Sequence, residues 1–248
     1  TGFSSYAGAL VFQDEFDGTS MDSSKWTRDL DWWSPSYQNN SGNDVVNYKL
    51  ESSCLKMWLA LNQDGNPFWR HWITRNKFSK RYGFFEAKMK LPTGMCVPAF
   101  WLFDNNGWAQ EPEIDIIEAY GYGRGVTNVI HRLSGSTLKK DPKVDKDAYV
   151  AVSTVKSKSW WSKWHTVAVS FDDSTIAFYL DGAKTRQLKG MKAADYQLVL
   201  SVLSSDWETY RVKKPDARPG SGVKKSAVKK QKSLPSMSVD WIRVWKKA

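Results

Sequence analysis

A chain of 248 residues with 41% hydrophobic content is long and apolar enough for one large β domain with a sizeable core. No apolar run reaches transmembrane length, Val97 to Phe103 being the longest conspicuous one, which argues against a membrane-spanning chain. The formal charge is +10, and nine basic residues from Arg211 to Lys232, set against Asp216 alone, carry +8 of it. Such a loop attracts any polyanion, or it is simply a solvated low-complexity segment.

The first strand is expected over Ala9 to Phe16, closed by a turn at Asp17-Gly18. From Lys25 to Asp44 no period is visible. Trp26, Trp32, Trp33 and Tyr37 stand there among Ser, Asn and Pro, which reads as a long loop whose aromatics either bind a ligand or plug the fold beneath. A hairpin pair is expected over Asp44 to Leu50 and Cys54 to Leu61, then a turn cluster at Asn62 to Pro67 and a strand from Phe68 to Arg75. From Gly83 the alternation is explicit. Phe85, Ala87, Met89 and Leu91 share one face, and Glu86, Lys88 and Lys90 the other. Cys96 to Phe103 leads through a loop carrying Trp108 to an acidic strand, with Val126 to Leu133 expected beside it. Trp160 to Ser170 and Thr175 to Leu180 form a hairpin around Asp172-Asp173-Ser174, and Asp181-Gly182 turns the chain again. Gln197 to Leu203 precedes Asp206-Trp207-Glu208 and the basic loop, and Ser238 to Lys247 closes the chain. No helix-period window of ordinary length appears, and many strands separated by Gly, Asn, Asp and Pro turns indicate an antiparallel sandwich. Fourteen Trp exceed what strand propensity asks for; most belong to a core and a minority suit a sugar groove. Cys54 and Cys96 allow one disulfide or two buried thiols, and neither has a second Cys or His at zinc-ligand spacing.

The chain turns on Glu111 to Gly121, EPEIDIIEAYG. On a helix Glu113, Asp115 and Glu118 would share no face. On a strand Glu113 and Asp115 share one, and Glu118 joins them only if one extra residue is absorbed as a β-bulge at Ile116-Ile117. Three acids on one face repel one another. Crowded carboxyls hold one group protonated beside an ionised one, the division of labour that glycoside hydrolysis requires.

EIDIIE resembles the bulged E-[IV]-D-x-x-E motif of glycoside hydrolase family 16. Tyr82 to Phe103, YGFFEAKMKLPTGMCVPAFWLF, is similar to the strand pair that precedes that motif; Val11 to Trp26 is similar to the family's opening segment, and SVDWIRVWKK (Ser238 to Lys247) to its closing strand. The matches come in family order and span nearly the whole chain. The resemblance implies a single catalytic domain over 1–248, all-β, an antiparallel β-sandwich of jelly-roll type with a concave open cleft. It also implies an endo-acting, retaining β-glycosidase, with Glu113 as nucleophile, Glu118 as acid/base and Asp115 between them. A histidine on the strand after the acid motif commonly faces the cleft in this family, which makes His131 a candidate. Trp32, Trp33, Trp101, Trp108 and Trp207 are candidate sugar contacts. Arg75, with Arg70, Arg124 and Arg132, suits a sulfate group.

The substrate expected is an acidic or sulfated galactan of the agar, carrageenan or porphyran type, with an endo-β-1,3(4)-glucan as the alternative. SGNDVVNYKLESS (Ser41 to Ser53) departs from the segment typical of the family's glucanases. From another class, a non-catalytic polysaccharide-binding module would keep the fold without needing three repelling carboxylates. A nucleic-acid partner rests on the basic loop alone and is not expected. No cofactor is required by the resemblance and no metal ligands are identified; a structural calcium, which occurs on the outer face of many relatives, stays open, since no ligand cluster in the sequence assigns it. A monomer acting outside the cytoplasm, secreted, periplasmic or at the cell surface, is expected of an enzyme that degrades polysaccharide.

Overall fold

The computed structural model describes residues 8–29, 46–61, 67–68, 71–92, 96–104, 113–119, 126–131, 148–153, 158–189, 194–203 and 235–247, with backbone alone at 29, 61, 67–68, 126–131, 148–153, 158, 161 and 203. In chain order the strands begin with β1 (Leu10–Asp14), β2 (Thr27–Asp29), β3 (Tyr48–Leu50), β4 (Leu55–Trp58), β5 (Ala60–Leu61) and β6 (Pro67–Phe68). They continue with β7 (His71–Ile73), β8 (Gly83–Lys90), β9 (Val97–Asp104), β10 (Glu113–Ala119), β11 (Val126–His131) and β12 (Ala148–Ser153). After one helical turn, α1 (Lys158–Trp161), come β13 (Trp164–Phe171), β14 (Thr175–Leu180), β15 (Ala183–Lys189), β16 (Tyr196–Leu203) and β17 (Ser236–Trp245).

Two large antiparallel sheets result, with β5 and β6 forming a separate two-stranded pair. The first runs β15-β14-β13-β8-β17-β4-β3, with β1 also on β17; the second runs β12-β11-β10-β9-β16-β7-β2. Strands distant in sequence are neighbours in both, as in the jelly-roll sandwich expected from the sequence. The core between the sheets follows from side-chain alternation. Phe85, Ala87 and Met89 of β8 enter it, as do Phe100 and Leu102 of β9, Leu198, Leu200 and Val202 of β16, and Met237, Val239, Ile242 and Val244 of β17. Burying such side chains contributes about 1.5–3 kcal/mol each before conformational entropy opposes it. A second, smaller cluster of Ile73, Ala99, Trp101, Phe103 and Val199 lies on the opposite face of the second sheet. The odd residues of β9 therefore point away from the even ones that fill the main core.

Local chemistry fixes several joints. Asp14 is buried and accepts from the Trp26 indole Nε1 at 2.7 Å and from the Phe16 backbone N–H at 3.0 Å, which holds Phe16 at its left-handed φ of 50°. At Gly83 a Cβ would stand 2.5 Å from the Trp245 carbonyl oxygen, so only glycine lets β17 approach the start of β8. His165 stacks on Trp160 at 3.8 Å between centroids and bonds the Trp160 carbonyl at 2.8 Å and Asp181 at 2.7 Å, which ties α1 to the β13–β14 pair.

The chain departs from the sequence expectations at a few elements. β2 lies inside the segment read as loop from Lys25, and it pairs with β7. The residues before Trp164 form α1 instead of the start of a strand. β12 and β15 are additional edge strands. Cys54 and Cys96 are both buried free thiols, and burial pushes the Cys96 thiol up to about 12.

Candidate active site

Strand β10 is the centre of the site. Against β9 it pairs Glu113 with Phe103, Asp115 with Trp101 and Glu118 with Ala99, and its register shifts between Asp115 and Ile117. Against β11 the shift falls between Asp115 and Glu118. One extra residue is thus absorbed at Ile116-Ile117, and both isoleucines are buried in the core between the sheets, with Ile114 and Ala119. The partners Phe103, Trp101 and Ala99 all belong to the far face. Glu113, Asp115 and Glu118 stand on that same face, because directly opposed residues of an antiparallel pair point the same way.

Three cross-strand rows build the floor. Glu113 is level with Phe103 and Gln197; Asp115 with Trp101, Val199 and Ile73; Glu118 with Ala99, Ser201 and His71. On the other side Glu113 pairs with His131, Asp115 with Val129 and Glu118 with Thr127. Asp115 is 1% exposed, whereas both glutamates keep partial exposure. The middle acid is withdrawn into a mostly apolar row, and the outer two remain reachable by a ligand. The Glu118 row is floored by the small residues Ala99 and Ser201, both buried. Trp101 is buried; its indole Nε1 donates to Ser201 Oγ at 3.1 Å, and its ring meets Phe103 edge-on at 5.8 Å. These two contacts lock the largest side chain of the floor.

Among the residues singled out from the sequence, the three acids and Trp101 come together on this face, and His131 is brought beside Glu113 by register. Arg75, half-buried, stands two residues past β7, whose Ile73 lies on the same face. Trp32, Trp33, Trp108 and Trp207, with Arg70, Arg124, Arg132 and the basic loop, lie outside the residues or side chains described. Sequence reading missed His71, Gln197 and Ser201, all buried and all on the site face by register. The available signal was alternation in β16, where Gln197, Val199 and Ser201 interleave with the core residues Leu198, Leu200 and Val202.

A family model described as the GH16 domain of beta-porphyranases A–D matches residues 10–247. The chain belongs to glycoside hydrolase family 16. Within curated proteins this GH16 chain is similar to glucan endo-1,3-beta-glucosidase A1 of Niallia circulans, 28% identical over 70% of the chain and 28% of that protein. It is also similar to beta-agarase A of Zobellia galactanivorans, 25% identical over 94% of the chain and 44% of that protein. The chain thus spans less than half the length of these two relatives. In fold it is similar to the laminarinase catalytic domain of Thermotoga maritima, with a TM-score of 0.72 and 22% identity over 97% of this chain and 99% of that one. A non-specific endo-beta-1,3(4)-glucanase of the same family superposes with a TM-score of 0.74 and 19% identity over 97% of this chain and 95% of that one. At those identities the likeness carries the two-sheet architecture and nothing finer.

Proposed function

We propose that this GH16 chain is an endo-acting β-glycoside hydrolase that retains anomeric configuration, with Glu113 as nucleophile and Glu118 as general acid/base. The observation that carries the reading is the bulge at Ile116-Ile117, which turns both glutamates to one face of β10 with Asp115 between them. Along β9 the pair spans the four residue steps from Phe103 to Ala99, about 13 Å of backbone. Concave curvature of the sheet brings the two side chains toward each other. A carboxyl separation of about 5–5.5 Å suits direct attack and a covalent glycosyl intermediate. Glu113 attacks the anomeric carbon while Glu118 gives its proton to the departing sugar oxygen. Glu118 then takes a proton from water, which attacks the same carbon and releases Glu113. Asp115, buried in the middle row, orients the nucleophile. An open cleft admits the interior of a polymer, hence endo cleavage.

Two substrate classes have support. A β-1,3-glucan is supported by the likeness to glucan endo-1,3-beta-glucosidase A1 over 70% of the chain. An acidic or sulfated galactan, the substrate expected from the sequence, is supported by the beta-porphyranase family model and by the agarase likeness over 94% of the chain. Reducing-end release from laminarin, agarose, porphyran and carrageenan separates them, since steady release identifies the class. Binding to any of these without release would make the chain a binding module. Proton NMR of the first-formed reducing ends should show the β-anomer; an α-anomer would exclude the double displacement. Action on such polymers supports a location outside the cytoplasm, which we propose for this protein.

A further inference from the structure

The outer face of the first sheet, on the far side of the sandwich from the acids, carries a feature the reaction does not use. Trp164 opens β13 and is 41% exposed. Three lysines surround it. Lys90 is its cross-strand partner on β8, Lys163 precedes it in the chain, and the Lys88 Nζ lies 5.6 Å from the ring centroid. Lys88 is already paired with Asp240 at 2.7 Å. Lys90 and Lys163 are exposed and have no ion pair with any described residue. Across β8, Trp241 is the partner of Lys88 and lies half-exposed under the Arg243 guanidinium, which stacks 4.4 Å from its centroid. The two indoles straddle β8 and are offset by two residues along it, so about 12 Å separates their backbone positions.

An exposed indole on a sheet face leaves apolar area in water that burial would make favourable. Sugars suit such a surface, because the apolar face of a pyranose stacks on an aromatic ring while its substituents stay in water. Ammonium groups beside the ring with no ion pair among the described residues favour a substituent that is negatively charged. Two rings set across a strand match a chain lying over the sheet rather than a single small molecule. We propose that the Trp164–Trp241 face is a second saccharide site, which holds an anionic polysaccharide, sulfated or uronic, through indole stacking on Trp164 and ion pairing to Lys90 and Lys163. It tethers the polymer while the opposite sheet acts on it, and it is independent of which residues carry the reaction.

The test is affinity electrophoresis of the full chain in gels holding carrageenan, alginate or neutral laminarin, in a Glu113→Gln background so that cleavage does not alter the gel. Carrageenan and alginate distinguish sulfate from carboxylate. Trp164→Ala should weaken retention by either anionic polymer about tenfold. Lys90→Glu with Lys163→Glu should lower anionic retention and its salt sensitivity while leaving laminarin retention unchanged. Far-UV circular dichroism verifies that both variants fold, and the residues from Arg211 to Lys232 are the same in every arm. Unchanged retention in both variants would overturn the proposal. So would an equal loss on duplex DNA or anionic vesicles, which would reduce the face to an unselective cationic patch.

Discussion

Strands β10 and β17 each contain one residue more than the strand beside them, and they place it on opposite faces. In β10 the doubled positions are Ile116 and Ile117, both in the core, and the consequence is three acids on the outer side. In β17 the shift falls between Val239 and Trp241; Val239 and Ile242 keep to the core, and Asp240 and Trp241 are left partly exposed. A bulge with its extra residue inward costs core space but gathers polar groups on the surface face. One with its extra residue outward leaves the core alone and crowds the surface instead. The same irregularity therefore builds a carboxylate cluster in one sheet and an aromatic-cation surface in the other.

Deleting Ile116 sharpens the comparison most directly. The strand then reads EIDIE, in which simple alternation keeps the three acids on one face, with Glu113 and Glu118 still four steps apart along β9, while one buried isoleucine is lost from the core. The melting temperature should drop while turnover survives, read by thermal circular dichroism and reducing-end assay. Turnover at background in a folded deletion variant would show that the acids depend on the backbone shape of the bulge and not only on the face it selects. Glu118→Gln keeps the bulge and removes only the transferable proton. Its kcat should fall about 10²–10⁴-fold with the melting temperature unchanged, the size expected of a lost general acid.

A third test contrasts the acids of the two sheets. Glu86, on the outer face of β8, is 3% exposed, and burial pushes its carboxyl up to about 7 from 4.5 although Arg243 nearby pulls the other way. Because the folded value is the higher one, this group's favourable contribution is complete below pH 4.5 and is lost as pH rises through about 7. Glu86→Gln should leave stability near wild type at pH 4 and raise the melting temperature by about 2–4 °C at pH 8. A variant less stable at both pH values would overturn that account. The smallest effect is expected for Asp240→Ala, which removes the pair with Lys88 at a site about one-third exposed. It should cost less than about 1 kcal/mol in denaturant unfolding and leave kcat untouched.

The legible parts of the molecule were those in which chemistry and periodicity agree within a few residues. Phe85, Ala87 and Met89 announced the core face of β8, and the clash between two isoleucines and three acids announced the bulge in β10, since no unbroken alternation satisfies both sets. β15 was illegible for the opposite reason: AKTRQLK is exposed almost throughout, so it carries no alternation to read. β2 is three residues at an edge, defined only by its partner β7. Alternation along β8 puts Glu86 on the polar face of its strand. That this face would be covered around it depends on β13 and β17, which supply Ala168 and Arg243 as its cross-strand neighbours.

By itself the sequence determined the antiparallel sandwich, the bulged acid strand and the family, because each is written in residues close together along the chain or in motifs whose order is preserved. Tertiary structure alone decided that His71, Gln197 and Ser201 join the acids, that Cys54 and Cys96 stay thiols, and that Trp164 faces out among lysines. Those outcomes depend on which distant strands become neighbours, and strand pairing is set by the collective packing of two sheets rather than by any local pattern.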